Sequence, residues 1–313
     1  MSGKRVKKID IHIHTMPTSM MVRPNGENFA LPHELTTMYE EIGIEKGLLL
    51  PSGVYGDGAG DVMSMREAVQ MVKEHPAIFG WWFCGLAPES GRNSPHEDLS
   101  FYLNQLKAHG AKGLGELVYN RTFDEDPFLL NLLKHCELCD LPVTIHIGNR
   151  YNDYGVVDEL GLPRLEHVLQ MFPKLKILGH SQKFWAEISS DVTEKSRNGY
   201  PKGKVIPGRV PALLKRYPNL FGDMSAGSGW NAIERDREYS WKFMEEFQDQ
   251  LLYGTDICSP KQTAFFRDGL ANFLDESMEK GKISYKAYYK ICRGNALYLL
   301  DGAKTNIEGI ENG

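Results

Sequence analysis

The sequence predicts a single α/β domain, a (β/α)₈ TIM barrel, on three observations. Short apolar runs alternate with amphipathic stretches from end to end, the runs number eight, and polar residues suited to chemistry stand at the ends of several of them. A chain of 313 residues is of the size such a barrel takes as one domain. The whole of 1–313 is therefore read as one unit, with the barrel over about 6–300 and a loose tail over 301–313.

In order, strands are expected at 6–13 (VKKIDIHI), 45–50 (EKGLLL), 78–84 (IFGWWFC), 111–117 (AKGLGEL), 142–147 (PVTIHI), 175–179, 219–224 (NLFGDM) and 250–255 (QLLYGT). Between them, helices are expected over stretches that include 62–74, 98–109, 127–139, 163–172 and 209–217. In 127–139, Phe128, Leu132 and Leu133 recur at helical spacing, as do Leu129 and Cys136. Pro76, Pro173 and Pro218 each stand just past a helical run, where proline cannot continue the helix. Residues 264–300 read as closing helices, with Ile283, Ala287 and Tyr288 on one apolar face and Ala296, Leu299 and Leu300 on another. An open doubly wound sheet shares this local pattern, but eight strands with helical crossovers favour closure.

Bulk chemistry narrows the partners. Lys and Arg total 36 against 41 Asp and Glu, a formal charge of −5, and no basic run is long enough to follow a phosphate backbone. A small-molecule substrate is expected, and nucleic acid is not. The polar start leads directly into a strand, and no apolar run is long enough to span a bilayer, so a cytoplasmic protein without a membrane association is expected. The five cysteines are odd in number and scattered, which fits reduced thiols. Cys136 and Cys139 have redox spacing without a second pair, on a predicted helix, and are read as packing residues. The Asn120-Arg121-Thr122 sequon carries no weight without export.

In Ile9-Asp10-Ile11-His12-Ile13-His14, residues two apart share a strand face, so Asp10, His12 and His14 are expected to point one way and the isoleucines toward the helices. Three polar side chains turned into a barrel are costly unless they are paired or bind something, and a metal is the economical answer. His146 and His180 close two later runs, and Glu116 and Asp256 close two more. His33, His75, His96, His109, His135 and His167 fall on loops or helical patterns, where a solvated surface is the default. Singly, each strand-end residue has a bland reading as a buried group satisfied by backbone. Jointly, imidazoles and carboxylates on the one face where barrel strands end are what a catalytic divalent ion requires.

The pattern Asp10-x-His12-x-His14, His146, His180 and Gly254-Thr255-Asp256, in that strand order, resembles the amidohydrolase superfamily. Lys112-Gly113-Leu114-Gly115-Glu116-Leu117 and Gly294-Asn295-Ala296 resemble its amidohydrolase-related branch, which includes aminocarboxymuconate semialdehyde decarboxylases. The resemblance implies that His12, His14, His146 and Asp256 hold the principal ion, Zn²⁺ or else Mn²⁺. It gives Glu116 the place of an extra ligand, or of a bridge if there are two ions, with one ion favoured. It also implies that His180 contacts substrate or water and that Asp256 doubles as general base. Homodimerisation is expected by analogy alone.

Two reactions follow from the resemblance: hydrolysis of a small amide, lactone or related carbonyl compound by metal-activated water, and non-oxidative decarboxylation of a small unsaturated or aromatic carboxylate. Arg121, Arg150 and Lys183 follow strands closely enough to reach the mouth and grip a carboxylate, and Trp185, Tyr151, Tyr154 and Trp230 are candidate pocket aromatics. The charged, Gly- and Pro-containing stretch 189–208 reads as a loop over the mouth, and the glycine-rich 53–60 as an active-site loop without the spacing of a dinucleotide fingerprint.

Overall fold

The computed structural model describes residues 4–19, 22–23, 25–51, 63–86, 94–149 and 154–303. The glycine-rich loop 53–60, Arg150, Tyr151 and most of the C-terminal tail lie outside them. Eight parallel strands follow one another around a barrel: β1 (Lys8–Ile13), β2 (Ile44–Leu49), β3 (Phe79–Cys84), β4 (Ala111–Leu117), β5 (Val143–Gly148), β7 (Ile177–His180), β8 (Leu220–Asp223) and β9 (Leu251–Leu252). A two-residue β6 (Val156–Val157) pairs with β5 off this path. All eight expected strands are present, within a few residues of their expected bounds.

The last one is the shortest, because residues 253–257 leave β8 and join β1. The Ile11 amide donates to the Tyr253 carbonyl (3.1 Å), that of Asp256 to His12 (2.8 Å) and that of His14 to Ile257 (3.1 Å), which closes the barrel. Asp10 reinforces the seam. Its carboxylate accepts from the Thr255 amide (2.8 Å), the Thr255 hydroxyl (2.6 Å) and the Tyr39 hydroxyl (3.1 Å).

Tyr39 belongs to helix Pro32–Ile42, which shows how sequence makes an element here. Leu35, Met38, Tyr39 and Ile42 repeat at helical spacing and are buried. Proline starts the helix, Glu34 accepts from the Leu31 amide (2.8 Å), and Gly43 ends it in the left-handed conformation (φ 83°). The expected helices appear as Met65–Glu74, Ser100–Ala108, Pro127–Leu138, Pro163–Met171 and Arg209–Arg216. Gln182–Ala186, Ala226–Glu234 and Arg237–Glu246 add to them, and Asn272–Glu279, Tyr285–Tyr289 and Asn295–Asp301 lie in the closing region.

One expectation about β1 is reversed. Ile9 and Ile11 fill the barrel's interior, in one buried cluster with Leu48, Phe83, Leu178, Phe221 and Leu252 from strands around the ring, closed off by Leu299 and Leu300 of the last helix. Asp10 instead faces Tyr39 in the helix layer, and Ile13 packs in the outer cluster. Ile9, Asp10 and Ile11 still alternate, but with the opposite phase, and a register irregularity between Asp10 and Ile13 in the β1–β2 pairing then interrupts the alternation just where the histidines begin. The floor of the barrel is thus apolar, each isoleucine contributing roughly 1.5–3 kcal/mol by burial, and the histidines above it are free to face the opening.

Trp81 shares the interior cluster and donates to Asp301 (2.9 Å), while Trp82 faces the outer layer, so both are core residues as expected. His135, expected at the surface, is buried with its Nδ1 2.8 Å from the Asn131 carbonyl. All five cysteines are free, with Cys136 and Cys139 buried. Among the described residues no helix is long and apolar enough to cross a membrane.

Candidate metal centre

Four strand ends and the turn after the last strand bring His12, His14, Glu116, His146, His180 and Asp256 to one place. Partners on the far side of each ring orient the histidines. His12 Nδ1 lies 2.6 Å from Asp223 Oδ2, His14 Nδ1 lies 2.9 Å from the Leu50 carbonyl, and His180 Nδ1 lies 3.0 Å from Ser225 Oγ. For His12 and His14 these partners are acceptors, so each Nδ1 carries the proton and each Nε2 presents its lone pair inward.

The two inward nitrogens are only 3.0 Å apart. Two lone pairs at that separation repel unless a cation sits between them, and a proton or a divalent ion meets the demand. Electrostatics point the same way. Burial opposes protonation of His12, yet Asp223, helped by Asp256 and Glu116, outweighs it and pushes the ring up to about 10. Glu116 and Asp223 stay ionised despite complete burial, Glu116 through its bonds to His14 and His146 and Asp223 through the charge of His12. His180 goes the other way, pushed down to about 4 by burial and then by the charge of His12.

The spacing tests whether an ion fits. His14 Nε2 is 3.5 Å from Glu116 Oε2 and 3.5 Å from Asp256 Oδ1, and His12 Nε2 is 3.8 Å from each of the same two oxygens. Ligands about 2.0–2.1 Å from a tetrahedral zinc stand roughly 3.3–3.4 Å from one another, so with the 3.0 Å nitrogen pair these five edges bracket that figure. Two anionic carboxylates would also balance the charge of a divalent ion. Glu116 turns its other oxygen, Oε1, to His146 Nδ1 at 2.8 Å and His180 Nε2 at 3.8 Å. Three overlapping groups of ligand atoms result: His12 with His14 and Glu116, His12 with His180 and Asp256, and Glu116 with His146 and His180.

A cavity of about 550 Å³ adjoins the centre and is lined by His146, His180 and Asp256 on one side. Trp230, Phe265, Phe266, Tyr200 and Lys202 are among its other walls. Trp230 lies in the wall, as expected. The hydroxyl of Tyr154 is 3.4 Å from Glu116 Oε2, and its ring meets that of His146 edge-on at 4.7 Å. Stretch 189–208 does border the cavity, through Tyr200 and Lys202, but it is anchored underneath by Arg197, a fully buried cation 3.2 Å from Glu187.

Two residues expected to bind substrate, Arg121 and Trp185, are placed otherwise. Arg121 is engaged by Asp126 at 2.6 Å and is not part of the cavity wall, and Arg150 falls outside the described residues. Trp185 is buried in the core, where it donates from Nε1 to the Asp223 carbonyl at 2.7 Å. Its ring fills space that any side chain at Gly222 would need, since a Cβ there would lie 2.9 Å from it. Lys183 is likewise buried. The residue that the sequence reading missed is Asp223, fully buried behind His12. It closes the predicted strand 219–224 much as Asp256 closes its own, so the rule that found the others also reaches it.

Comparison with known proteins agrees with this geometry. A family model described as amidohydrolase matches residues 9–302. No curated protein sequence matches. Among solved structures, the chain is similar to a 2,6-dihydroxybenzoate decarboxylase from Rhizobium (13% identity, TM-score 0.55, 95% of this chain and 99% of that one). It is also similar to a dihydroxybenzoic acid decarboxylase from Polaromonas sp. JS666 with bound manganese and the inhibitor 2-nitroresorcinol (17%, 0.54, 97% and 99%). A third is dihydroorotase from Campylobacter jejuni (12%, 0.54, 96% and 84%). At such identities the likeness is one of fold. The family match over nearly the whole chain, on a barrel whose strand ends gather a divalent-metal site, shows that the protein belongs to the amidohydrolase family of metal-dependent enzymes.

Proposed function

We propose that this protein hydrolyses a small amide, lactone or related carbonyl compound with one divalent ion, zinc or manganese, held by His12, His14, Glu116 and Asp256. One ion is preferred because His146 and Glu116 are 2.8 Å apart, a hydrogen-bond distance shorter than the spacing of two ligands on a common metal. His146 then braces Glu116, which departs from the role its resemblance implies. A bound ion supplies Lewis acidity, making water nucleophilic near neutral pH and polarising a carbonyl.

The observation that carries the reading is Asp256. Among the described residues it alone lies 3.5 Å from His14 and also lines the cavity, with its side chain 23% exposed. A carboxylate so placed takes the proton from the attacking water and returns it to the leaving group. His180, kept neutral by burial and 3.9 Å from Asp256 Oδ2, positions the reacting carbonyl or that water from the cavity side.

Decarboxylation of a flat unsaturated acid is the second reading. The aromatic wall of Trp230, Phe265 and Phe266 favours it, and two of the similar folds are named decarboxylases. The test is a screen of metal-loaded protein against lactones, amides and unsaturated carboxylates, following acid release and CO₂ together. Ring or amide opening without CO₂ supports hydrolysis, CO₂ without water consumption supports the second reading, and turnover unchanged in Asp256→Asn overturns both.

A further inference from the structure

Beyond the ligand side, two elements of the cavity wall are locked to each other: the segment around 200–204 and helix Ala226–Glu234 with the residues after it. Asn231 Nδ2 donates to the Pro201 carbonyl (3.1 Å), and Arg235 donates to the carbonyls of Lys202 (3.2 Å) and Gly203 (3.1 Å). The backbone that carries Lys202 is therefore held on both sides. Its side chain is a different matter. Lys204, two residues on, is neutralised by Asp236 at 3.2 Å and Glu238 at 3.5 Å, whereas no carboxylate among the described residues comes within ion-pair distance of Lys202. Glu234, the acid in the same wall, has Arg237 3.8 Å away.

Lys202 is thus the cationic side chain that the described residues contribute to the cavity wall, and the aromatic faces of Trp230, Phe265 and Phe266 line the same space. Flat apolar walls bury a planar body, and Lys202, itself exposed, offers its ammonium to an anion from the same wall. We propose that Lys202 is a specificity-determining residue: it receives a carboxylate at the end of the substrate remote from the reacting carbon, while the aromatic wall holds a planar body between. The preferred ligand class is a planar molecule with a second anionic group opposite the one presented to the metal centre. This rests on the reading that the cavity is the substrate site.

The test is isothermal titration calorimetry of the metal-loaded full chain with benzoate and with its 1,4-dicarboxylate counterpart, terephthalate. Wild type is expected to bind terephthalate roughly two- to fivefold more tightly than benzoate, the range an exposed ion pair supplies. Lys202→Met is expected to bring that ratio near one, and Lys202→Arg to keep it. A wild-type ratio near one, or a ratio that survives in Lys202→Met, overturns the role of Lys202 while leaving the metal-site reading intact. If neither acid binds the wild type, the cavity does not take planar acids, and this proposal and the decarboxylation reading both fall.

Discussion

At the scale of residues, the centre depends on orientation as much as on ligand identity. His12 can offer Nε2 only because Asp223 holds its Nδ1 at 2.6 Å, and Trp185 in turn holds the Asp223 carbonyl at 2.7 Å. Asp223→Asn should therefore weaken metal affinity by about 10- to 100-fold without touching the cavity, as partners behind metal-ligating histidines commonly do. Competition with a chromogenic chelator measures it, and an unchanged affinity would show that Asp223 does not set the tautomer. His12→Ala should lower metal content and rate together, while His180→Ala should retain metal and lose rate; mass spectrometry of the bound metal decides. An empty site in His180→Ala would make that residue a ligand.

At the scale of elements, the segment after β7 is a fixed wall held by buried charge. Asp158 accepts from the amides of Glu159 (2.9 Å), Arg164 (3.1 Å) and Leu165 (2.8 Å), starting helix Pro163–Met171, and its backbone carbonyl accepts from Arg197 (3.3 Å). Burial pushes the Asp158 carboxyl up to about 7, against the lowering effect of those amides and of Arg197. A carboxyl raised above its unfolded value of about 4 binds its proton more tightly in the folded chain. Its contribution is complete below about pH 4 and is lost as the pH rises through about 7. Wild-type melting temperature should fall between pH 5 and 8, and in Asp158→Asn that decline should be smaller by several degrees, whatever offset the lost hydrogen bond adds. Equal slopes in differential scanning fluorimetry would remove Asp158 from the account.

At the scale of the whole molecule, the barrel gathers two imidazole lone pairs and two carboxylates into a space that a cation must relieve, so ion binding and folding are coupled. An ion at about a thousandfold over its dissociation constant stabilises by roughly 4 kcal/mol. Dialysis against a chelator should lower the melting temperature by several degrees, zinc or manganese should restore it, and His12→Ala should respond to neither treatment. A chelator-insensitive wild type would mean that the fold carries the cluster without the ion.

The sequence by itself determined the barrel and most of the centre. Periodicity marks strands and helices locally, and barrel closure sends every strand's C-terminal end to one face, so His12, His14, Glu116, His146, His180 and Asp256 could be placed together from their positions alone. What it left open depends on directions rather than positions. The phase of β1 put Ile9 and Ile11 in the barrel's interior and Asp10 out toward Tyr39, and the register irregularity after Asp10 then interrupted the alternation before Ile13. Trp185 became core because Gly222 leaves room for its ring, and Arg121 was taken by Asp126. Only tertiary packing settles which side of a ring finds a partner, which cation is neutralised and which, like Lys202, is left facing a cavity. Those outcomes are set by contacts between residues far apart in the chain, and local pattern carries no record of them.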